Sequence, residues 1–299
     1  MLVRVFTKVA CAYKLDKKTK RTFKPMGSIT YDTRIMTYKN DHVVCLWCIG
    51  GGQSIHFICH NPDYMPYIKG EADLVYKKGK FFLYQTVDIP EPAVQNIAEF
   101  IGVDFGLTDI TVTSDGDKHS ADWINQYREK RQQVRSSIQR KGARNSKRLS
   151  KRLSGKERTT SAIINHTISK SIVKSAKDKR RGIAIENLTN IRFTCKPGNK
   201  KFRTKLGRWS FGQLRSFLEY KCLLNGVKLI VVEPGYTSQT CNCCRYIGKR
   251  TNKVFKCTNK NCKVDAIDAD FNAAQNIALL GVVVNLPKRC DMYSCTVHY

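Results

Sequence analysis

Residues 237–280 read TSQTCNCCRYIGKRTNKVFKCTNKNCKVDAIDADFNAAQNIALL and join a cysteine-rich segment directly to an acidic helix start. The cysteines form a C-x-x-C pair and, after twelve intervening residues, a C-x4-C pair: Cys241, Cys244, Cys257 and Cys262. This spacing suits four thiolates around one tetrahedral zinc ion, so we predict a zinc ribbon. Four buried free cysteines are the alternative, but the Lys/Arg-rich segment between the pairs has too little apolar material for a core.

Other cysteines are weaker metal candidates. Cys243 is an additional thiol inside the first pair; it competes for the metal, but Cys244 has the better loop geometry, and the role of Cys243 stays open. A second C-x-x-C, Cys45 and Cys48, lies in a predicted strand, where successive side chains alternate between opposite faces. We predict core thiols there rather than a second zinc site.

Three carboxylates occupy positions where a charge is unusual. Asp104 lies in the apolar strand FIGVDFGL, residues 100–107, and Glu186 ends the apolar strand of GIAIENL, residues 182–188. Asp268 and Asp270 lie in the first turn of the helix that follows the ribbon, where either is by default an N-cap. A carboxylate in a buried strand is costly unless a cation pairs with it, and the alternative for Asp104 is an edge strand facing water.

The order of predicted elements from residue 101 to 280 is strand, hairpin strand, third strand, helices, strand, helix, strand, zinc insert and helix. This alternation predicts a mixed α/β sheet flanked by helices, similar to the ribonuclease H-like fold. We expect Asp104, Glu186 and Asp270 to converge there. Because three carboxylates would repel one another, we also expect Mg²⁺ or Mn²⁺ between them. Two such ions, about 4 Å apart, would activate a water and stabilise the leaving oxygen in phosphodiester cleavage.

The charge of the chain indicates a polyanionic partner. Fifty-three Lys and Arg against 24 Asp and Glu give a formal net charge of +29 and a pI near 9.8. Residues 128–181 alone contain nineteen basic and three acidic residues, which favours phosphate contact over a merely solvated face. Seven residues are singled out for nucleic-acid contact: Arg140, Lys141, Arg144, Lys147, Arg148, Lys151 and Arg152.

The basic stretch is predicted to be helical, and a break at Gly142 or Gly155 would divide it into two helices. His166 lies on the second of them, where we assign it to packing or phosphate contact rather than to general-base catalysis. Residues 3–92, in contrast, alternate short β-type runs with turns, including a hairpin turn at Lys78-Gly79, and predict a small all-β domain.

The number of cysteines and the length of the apolar runs indicate the cellular compartment. Thirteen cysteines in a chain this long do not indicate a disulfide scaffold, and a reducing compartment fits better. The longest apolar run near the C-terminus, residues 277–286, is too short to span a bilayer, and no N-terminal signal pattern is visible. We therefore expect a protein that is not secreted and has no membrane partner, in the cytoplasm or nucleoid, or in the nucleus of a eukaryotic host.

Several motifs in combination resemble the transposon-encoded TnpB (OrfB-type) proteins, which are relatives of Fanzor proteins and type V CRISPR effectors. GVDFGL at 102–107, IAIENL at 183–188 and DADFNAA at 268–274 resemble the first, second and third RuvC motifs of that family. WSFGQL at 209–214 and PGYTSQTC at 234–241 look like its connecting helix and the entry to its zinc ribbon.

The resemblance implies an endonuclease that cuts DNA under the guidance of an RNA from its own element; older usage calls such proteins transposases and links them to transposition and DNA recombination. It assigns Asp104, Glu186 and Asp270 as catalytic Mg²⁺ or Mn²⁺ ligands, with Asp268 a weaker substitute for Asp270. The implied domains are a β-rich wedge-like domain at 1–95, a RuvC-like nuclease domain at 96–236 with basic helices at 123–181, the zinc ribbon at 237–265, and the end of the nuclease domain with a tail at 266–299.

The chain also departs from the family pattern. The family usually has a helical recognition segment in or ahead of the wedge domain, whereas this chain begins almost directly with wedge strands. The second cysteine pair is usually C-x2-C, and Arg245 and Lys263 stand where glycine often follows each pair. A truncated or inactive nucleic-acid-binding remnant, or a regulator of the element, is therefore the alternative function, and a junction resolvase of the same fold is a third. The oligomeric state stays open.

Overall fold

A computed structural model describes residues 2–93, 97–153, 155–189 and 200–285. The chain divides into two compact units, Met1–Pro90 and Glu91–Tyr299. Among the described residues, no helix is long and apolar enough to cross a membrane.

The first unit contains one helix, one 3₁₀ helix and two antiparallel three-stranded sheets, ordered β2-β3-β4 and β1-β5-β6. Its elements are α1 (Leu2–Leu15), β1 (Ile29–Tyr31), β2 (Met36–Asn40), β3 (Val43–Cys48), β4 (Gly51–His56), the 3₁₀ helix (Pro62–Tyr67), β5 (Ile68–Lys77) and β6 (Lys80–Val87). Its core residues are Tyr31, Met36, Val44, Leu46 and Ala72. The predicted hairpin turn is confirmed, since Lys78 and Gly79 both have positive φ, 51° and 79°, between β5 and β6.

Two predictions for this unit were wrong. Residues 2–15 form a helix rather than strands, because Val9, Ala12 and Tyr13 recur at helical spacing and are its half-buried residues. Cys45 and Cys48 are not core thiols: Cys45 is half-buried and Cys48 is exposed on β3. The rest of the unit is rich in β-strands, as expected.

The second unit is built on a mixed five-stranded sheet of order β11-β10-β7-β8-β9. The strands are β7 (Phe100–Phe105), β8 (Asp109–Thr113), β9 (Lys118–Ser120), β10 (Gly182–Glu186) and β11 (Leu229–Val232). β7, β10 and β11 are parallel, and β8 runs antiparallel to β7 and β9. The predicted mixed α/β class is confirmed.

Six helices of this unit lie within the described residues: α2 (Asp122–Lys141), α3 (Arg144–Leu153), α4 (Lys156–Asp178), α5 (Lys200–Arg208), α6 (Phe211–Asn225) and α7 (Ala269–Asn285). The basic stretch thus forms three helices where two were predicted. Gly142 and Gly155 both adopt left-handed backbone conformations, with φ of 61° and 83°. Gly142 is the C-cap of α2, and Gly155 is the N-cap of α4.

Helices cover both faces of the sheet. On one face, alternate residues of β7 and β10 pack against α4 and α6 in the main core: Ile101, Val103, Ile183, Ile185, Ile168, Ile172, Leu214 and Leu218. On the other face, α7 packs through Ile277 against Phe100, Ala184 and Val232. Burial on both faces explains why β7 and β10 read as continuous apolar runs in the sequence.

Two glycines allow α7 to approach the sheet closely. A Cβ atom on Gly102 of β7 would lie 2.0 Å from the backbone oxygen of Ala274, and one on Gly281 of α7 would lie 2.7 Å from the Cβ of Ala184. With Ala274 over Gly102, the first turn of α7 lies one helical turn further toward the carboxyl end of β7. That end of the strand carries Asp104.

The cysteine-rich segment forms a small antiparallel sheet of β12 (Lys249–Thr251), β13 (Val254–Lys256) and β14 (Ala266–Asp268). Phe255 of β13 is fully buried beside Cys241 and Ala269, which gives the segment a minimal core. β14 runs into α7 without a linker, so this sheet is attached directly to the helix that covers β7.

Candidate active site and cysteine cluster

Asp104 and Glu186 lie side by side at the carboxyl ends of neighbouring parallel strands. The register pairs Val103 of β7 with Ile185 of β10, and the next residue of each strand is one of the two acids. Because side chains alternate along a strand, both acids face away from the α4 and α6 core that holds Val103 and Ile185. They therefore face the layer of α7.

Asp270 completes the group from the first turn of α7. Burial, together with repulsion from Glu186 and Asp270, raises the pKa of Asp104 to about 8. Burial also raises the pKa of Glu186 above its usual range. The structure thus brings the three predicted acids close enough to interact electrostatically, although they are separated by 82 and 84 residues along the chain.

Asp268 has a different role from Asp270. Its Oδ1 accepts hydrogen bonds from the backbone N–H groups of Asp270 and Phe271, each at 3.0 Å, so Asp268 is the N-cap of α7. Its Oδ2 accepts a hydrogen bond from Lys118 Nζ at 2.6 Å. The cap at Asp268 leaves the side chain of Asp270 directed toward the other two acids.

Arg250 and Thr237 belong to the site but were not identified from the sequence. The Arg250 guanidinium, on β12, donates to Asp270 Oδ1 at 2.7 Å, and its charge lowers the pKa of both Asp104 and Glu186 against the effect of burial. The Thr237 hydroxyl donates to Glu186 Oε1. Nothing in the sequence distinguishes Arg250 from the other basic residues around it. Thr237 is only weakly indicated as a site residue, by its position in the PGYTSQTC motif.

The carboxylate group suits a hard divalent cation. Three oxygen-donor acids face one guanidinium, and burial makes their uncompensated charge unfavourable, which is the condition under which Mg²⁺ or Mn²⁺ binds. The donor atoms are carboxylate oxygens, the ligands that these ions prefer.

The four predicted cysteines form a tighter group. The Sγ atoms of Cys241, Cys244, Cys257 and Cys262 all lie within 4.8 Å of one another, and among the described residues no other set of three or more metal-binding side chains is as close. Cys241 and Cys262 are 3.8 Å apart, and Cys244 and Cys257 are 3.5 Å apart. Cys243 lies outside the cluster and is exposed.

Two thiols of the cluster differ in pKa, and only one of them is readily deprotonated. A hydrogen bond to the Tyr246 backbone lowers the pKa of the Cys244 thiol to about 6, so this residue is readily a thiolate. Burial raises the pKa of the Cys257 thiol to about 12, so a metal ion that binds there has to displace its proton. Four sulfur donors at these distances fit a tetrahedral zinc ion.

The turn after the first cysteine pair explains one departure from the family pattern. Arg245 has a φ of 64°, in the left-handed region where glycine has no steric cost. Its Nη1 donates to Asn276 Oδ1 of α7 at 2.8 Å, a contact that glycine does not make.

Buried amides hold the cysteine cluster against α7. Asn272 is fully buried; its Nδ2 donates to Thr240 O at 2.8 Å and its Oδ1 accepts from the Asn242 backbone at 2.9 Å. Asn276 Nδ2 donates to the backbone oxygens of Thr237 and Thr240. The helix that carries Asp270 is thereby tied to the loop that carries Thr237.

The seven basic residues singled out for nucleic-acid contact lie at the end of α2 and on α3, and all seven are exposed. None of them has an ion-pair partner in the part of the chain that the structure describes. His166 stacks on Phe217 of α6 with ring centroids 3.8 Å apart, which supports its packing role.

Comparison with known proteins finds one matching family model and several relatives. Residues 211–277, from the start of α6 through the cysteine cluster into α7, match the family model Cas12f1-like, TNB domain. The chain is 38% identical over 130 residues to the CRISPR-associated endodeoxyribonuclease Cas12f2 of a Micrarchaeota archaeon, and 31% identical over 148 residues to a TnpB-like protein of Methanocaldococcus jannaschii. Over these stretches the chain is similar to TnpB-like proteins and to type V CRISPR effectors of the Cas12f group.

The matches to these relatives are partial. They cover 40% and 49% of this chain, and 24% of the Cas12f2 protein and 53% of the TnpB-like protein. The solved structure of a Cas12f1-sgRNA-target DNA complex is similar with a TM-score of 0.54 at 19% identity, covering 73% of this chain and 46% of that chain. At this identity the likeness shows the fold alone. The resemblance predicted from the motifs is therefore confirmed, whereas activity and partners are matters for proposal.

Proposed function

We propose that this chain is a metal-dependent, RNA-guided DNA endonuclease whose second unit is a ribonuclease H-like nuclease domain of the RuvC type with a zinc-ribbon insert. The proposal depends on one observation: Asp104 is buried beside Glu186 and Asp270, and burial together with repulsion from these two acids raises its pKa to about 8. Relatives that are named endodeoxyribonucleases support the same chemistry. The proposed partners are target DNA and a guide RNA from the chain's own element, and the proposed role of the first unit is to grip that RNA.

Two metal sites follow. Asp104, Glu186 and Asp270 would hold Mg²⁺ or Mn²⁺, which supplies a water activated for attack and stabilises the leaving oxygen when bound. The four cysteines would hold Zn²⁺ as a structural ion. No covalent protein intermediate is needed.

The chain's own residues prepare the carboxylate site. Thr237 fixes one oxygen of Glu186 through its hydroxyl, which leaves the other oxygen available as a ligand. Arg250 keeps Asp104 and Glu186 closer to their ionised forms and holds one oxygen of Asp270. With a donor group next to the acids, Arg250 is also placed to neutralise a phosphate that reaches them.

The test is cleavage by the protein copurified with RNA expressed from its own element. We expect target DNA to be cut with Mg²⁺ or Mn²⁺ and not with EDTA, and Asp104→Ala to abolish cutting while DNA binding persists. Asp117→Asn, an exposed acid in the turn before β9, is the matched control and should cut normally. Cutting that persists when each of the three acids is replaced by Ala contradicts the mechanism; binding without cleavage by the wild type indicates a regulator or remnant instead.

A further inference from the structure

A second concave site lies away from the sheet strands, between α2, the start of α4 and the segment that joins α5 to α6. It is an open pocket of about 360 Å³, and four of the residues that line it are arginines: Arg128, Arg135, Arg158 and Arg208. We call it the arginine pocket. None of these residues is among the seven basic residues that the sequence singled out, and none belongs to the carboxylate group.

The positive charge of the arginine pocket is poorly compensated. Glu157 is its one acidic lining residue, 3.6 Å from Arg128 Nε and 4.0 Å from an Arg135 nitrogen. Arg128 is held in place because it donates to Ser161 Oγ at 3.1 Å and to Arg208 O at 3.0 Å. Its Nε is buried and makes no hydrogen bond within the described residues. A guanidinium fixed in this way, next to three more arginines that line the same pocket, is suited to a phosphate-bearing ligand.

An aromatic stack adjoins the arginine pocket along α2. Trp123 is 62% exposed and stacks on Tyr127, with centroids 5.6 Å apart and ring planes within 7°. The Arg131 guanidinium lies 5.9 Å from the centroid of the Tyr127 ring and donates to Leu153 O at 2.7 Å, two residues before the pocket residue Gly155. On the helix surface Arg131 lies between Arg128 and Arg135, so the stack leads into the pocket.

We propose that the arginine pocket holds backbone phosphates of a single nucleic-acid strand, one of whose unpaired bases stacks on the exposed face of Trp123. Phosphates provide the negative charge that would compensate the arginines. Base stacking on an aromatic side chain is how single strands are bound without sequence preference. A duplex does not fit this arrangement, because its bases are stacked on one another. The inference rests on the proposed function only in taking nucleic acid as the partner.

The pocket is tested by the salt dependence of binding. The full-length protein is titrated with a fluorescent 20-nucleotide single strand, as DNA and as RNA, in EDTA so that cleavage plays no part. Each lost phosphate contact lowers the slope of log affinity against log salt by about 0.7 for a single strand, so Arg135→Gln/Arg158→Gln should lower it by about 1 to 1.5. Lys174→Gln/Lys177→Gln removes the same charge at the other end of α4 and should leave the slope nearly unchanged.

The stack is tested separately. Trp123→Ala should weaken single-strand binding roughly tenfold or more without changing the salt slope, and Trp123→Phe should restore most of the affinity. Equal salt slopes for the two double variants contradict phosphate binding in the arginine pocket. Undiminished binding by Trp123→Ala contradicts base stacking on Trp123. If pyrophosphate raises the melting temperature of the wild type but not of Arg135→Gln/Arg158→Gln while the two slopes stay equal, the pocket takes a free phosphate compound and the proposal is wrong.

The same experiment distinguishes this proposal from the proposed nuclease activity. A reduced slope in Arg135→Gln/Arg158→Gln together with no cleavage by the wild type keeps the strand-binding proposal and removes the nuclease. Wild-type protein that binds neither DNA nor RNA overturns both.

Discussion

Asp104 makes stability depend on pH in an unusual direction. Because burial and two neighbouring acids raise its pKa to about 8, the folded protein binds this proton more tightly than the unfolded chain does. That contribution to stability is complete at low pH and is lost as the pH rises from about 4 through 8.

Replacing Asp104 with Asn should remove this dependence. Without added Mg²⁺ or Mn²⁺, we expect the free energy of unfolding of Asp104→Asn to exceed that of the wild type at pH 8, by roughly 1–3 kcal/mol, and the difference to vanish toward pH 4. Mg²⁺ should stabilise the wild type at pH 8 more than the variant. Denaturant unfolding at both pH values measures this, and a difference that does not change with pH would show that Asp104 ionises normally.

Arg250 should matter for cleavage beyond its effect on folding. Arg250→Gln removes the guanidinium that lowers the pKa of Asp104 and Glu186 and that pairs with Asp270, so we expect cleavage to fall about 100-fold and its pH profile to move to higher pH. Lys249→Gln, at the exposed neighbouring position of β12, is the control. Equal cleavage rates and pH profiles for Arg250→Gln and Lys249→Gln would show that Arg250 contributes only surface charge.

At the scale of elements, the contact between β7 and α7 should be sensitive to a single methyl group. Ala at position 102 would place its Cβ 2.0 Å from the Ala274 oxygen and 2.4 Å from the Ala278 nitrogen, and backbone atoms cannot yield as a side chain does. We expect Gly102→Ala to destabilise the protein by about 1–3 kcal/mol or more. Gly212→Ala on α6 meets no atom within 4 Å and should be neutral or stabilising. Urea unfolding compares the two, and an equal effect would mean that α7 is free to shift.

The cysteine cluster should bind one zinc ion with a defined ligand set. Cys257→Ser should lower zinc content and destabilise the sheet of β12, β13 and β14, because the cluster holds little other core. Cys243→Ser should keep one zinc per chain, since Cys243 is exposed and outside the cluster. Metal analysis of the purified variants decides this; zinc loss in both would make Cys243 a ligand.

Elements with a strong local signal were predictable from the sequence. β7 and β10 are apolar runs buried on both faces, and α6 shows its buried Leu214, Leu218 and Cys222 at helical spacing before Gly226. Helix α1 was missed because the all-β prediction covered residues 3–92 as a whole. The division of the basic stretch depended on two glycines that both adopt left-handed backbone conformations. The role of Arg250 was not predictable from the sequence, because its ion pair with Asp270 forms only when the cysteine-rich segment folds against α7.

At the scale of the whole molecule, the two units have separate hydrophobic cores. Tyr31, Met36, Val44, Leu46 and Ala72 form one, and the residues around β7 and β10 form the others. We therefore expect residues 1–90 and 91–299, expressed separately, each to keep native-like circular dichroism and a cooperative thermal transition. A fragment without a cooperative transition would show that its core does not suffice.

The attachment of the ribbon to the acids has a physiological consequence. Arg250 pairs with Asp270 at the start of α7, and Lys253, from the turn that follows β12, pairs with Asp109 at the start of β8. Both cations keep these positions only while the cysteine-rich segment is folded. Losing zinc would withdraw both charges and leave the acids intact. If the proposed nuclease activity is present, we expect protein produced without zinc to lose it even when magnesium is plentiful, so that a trace nutrient would limit an activity whose own metal is abundant.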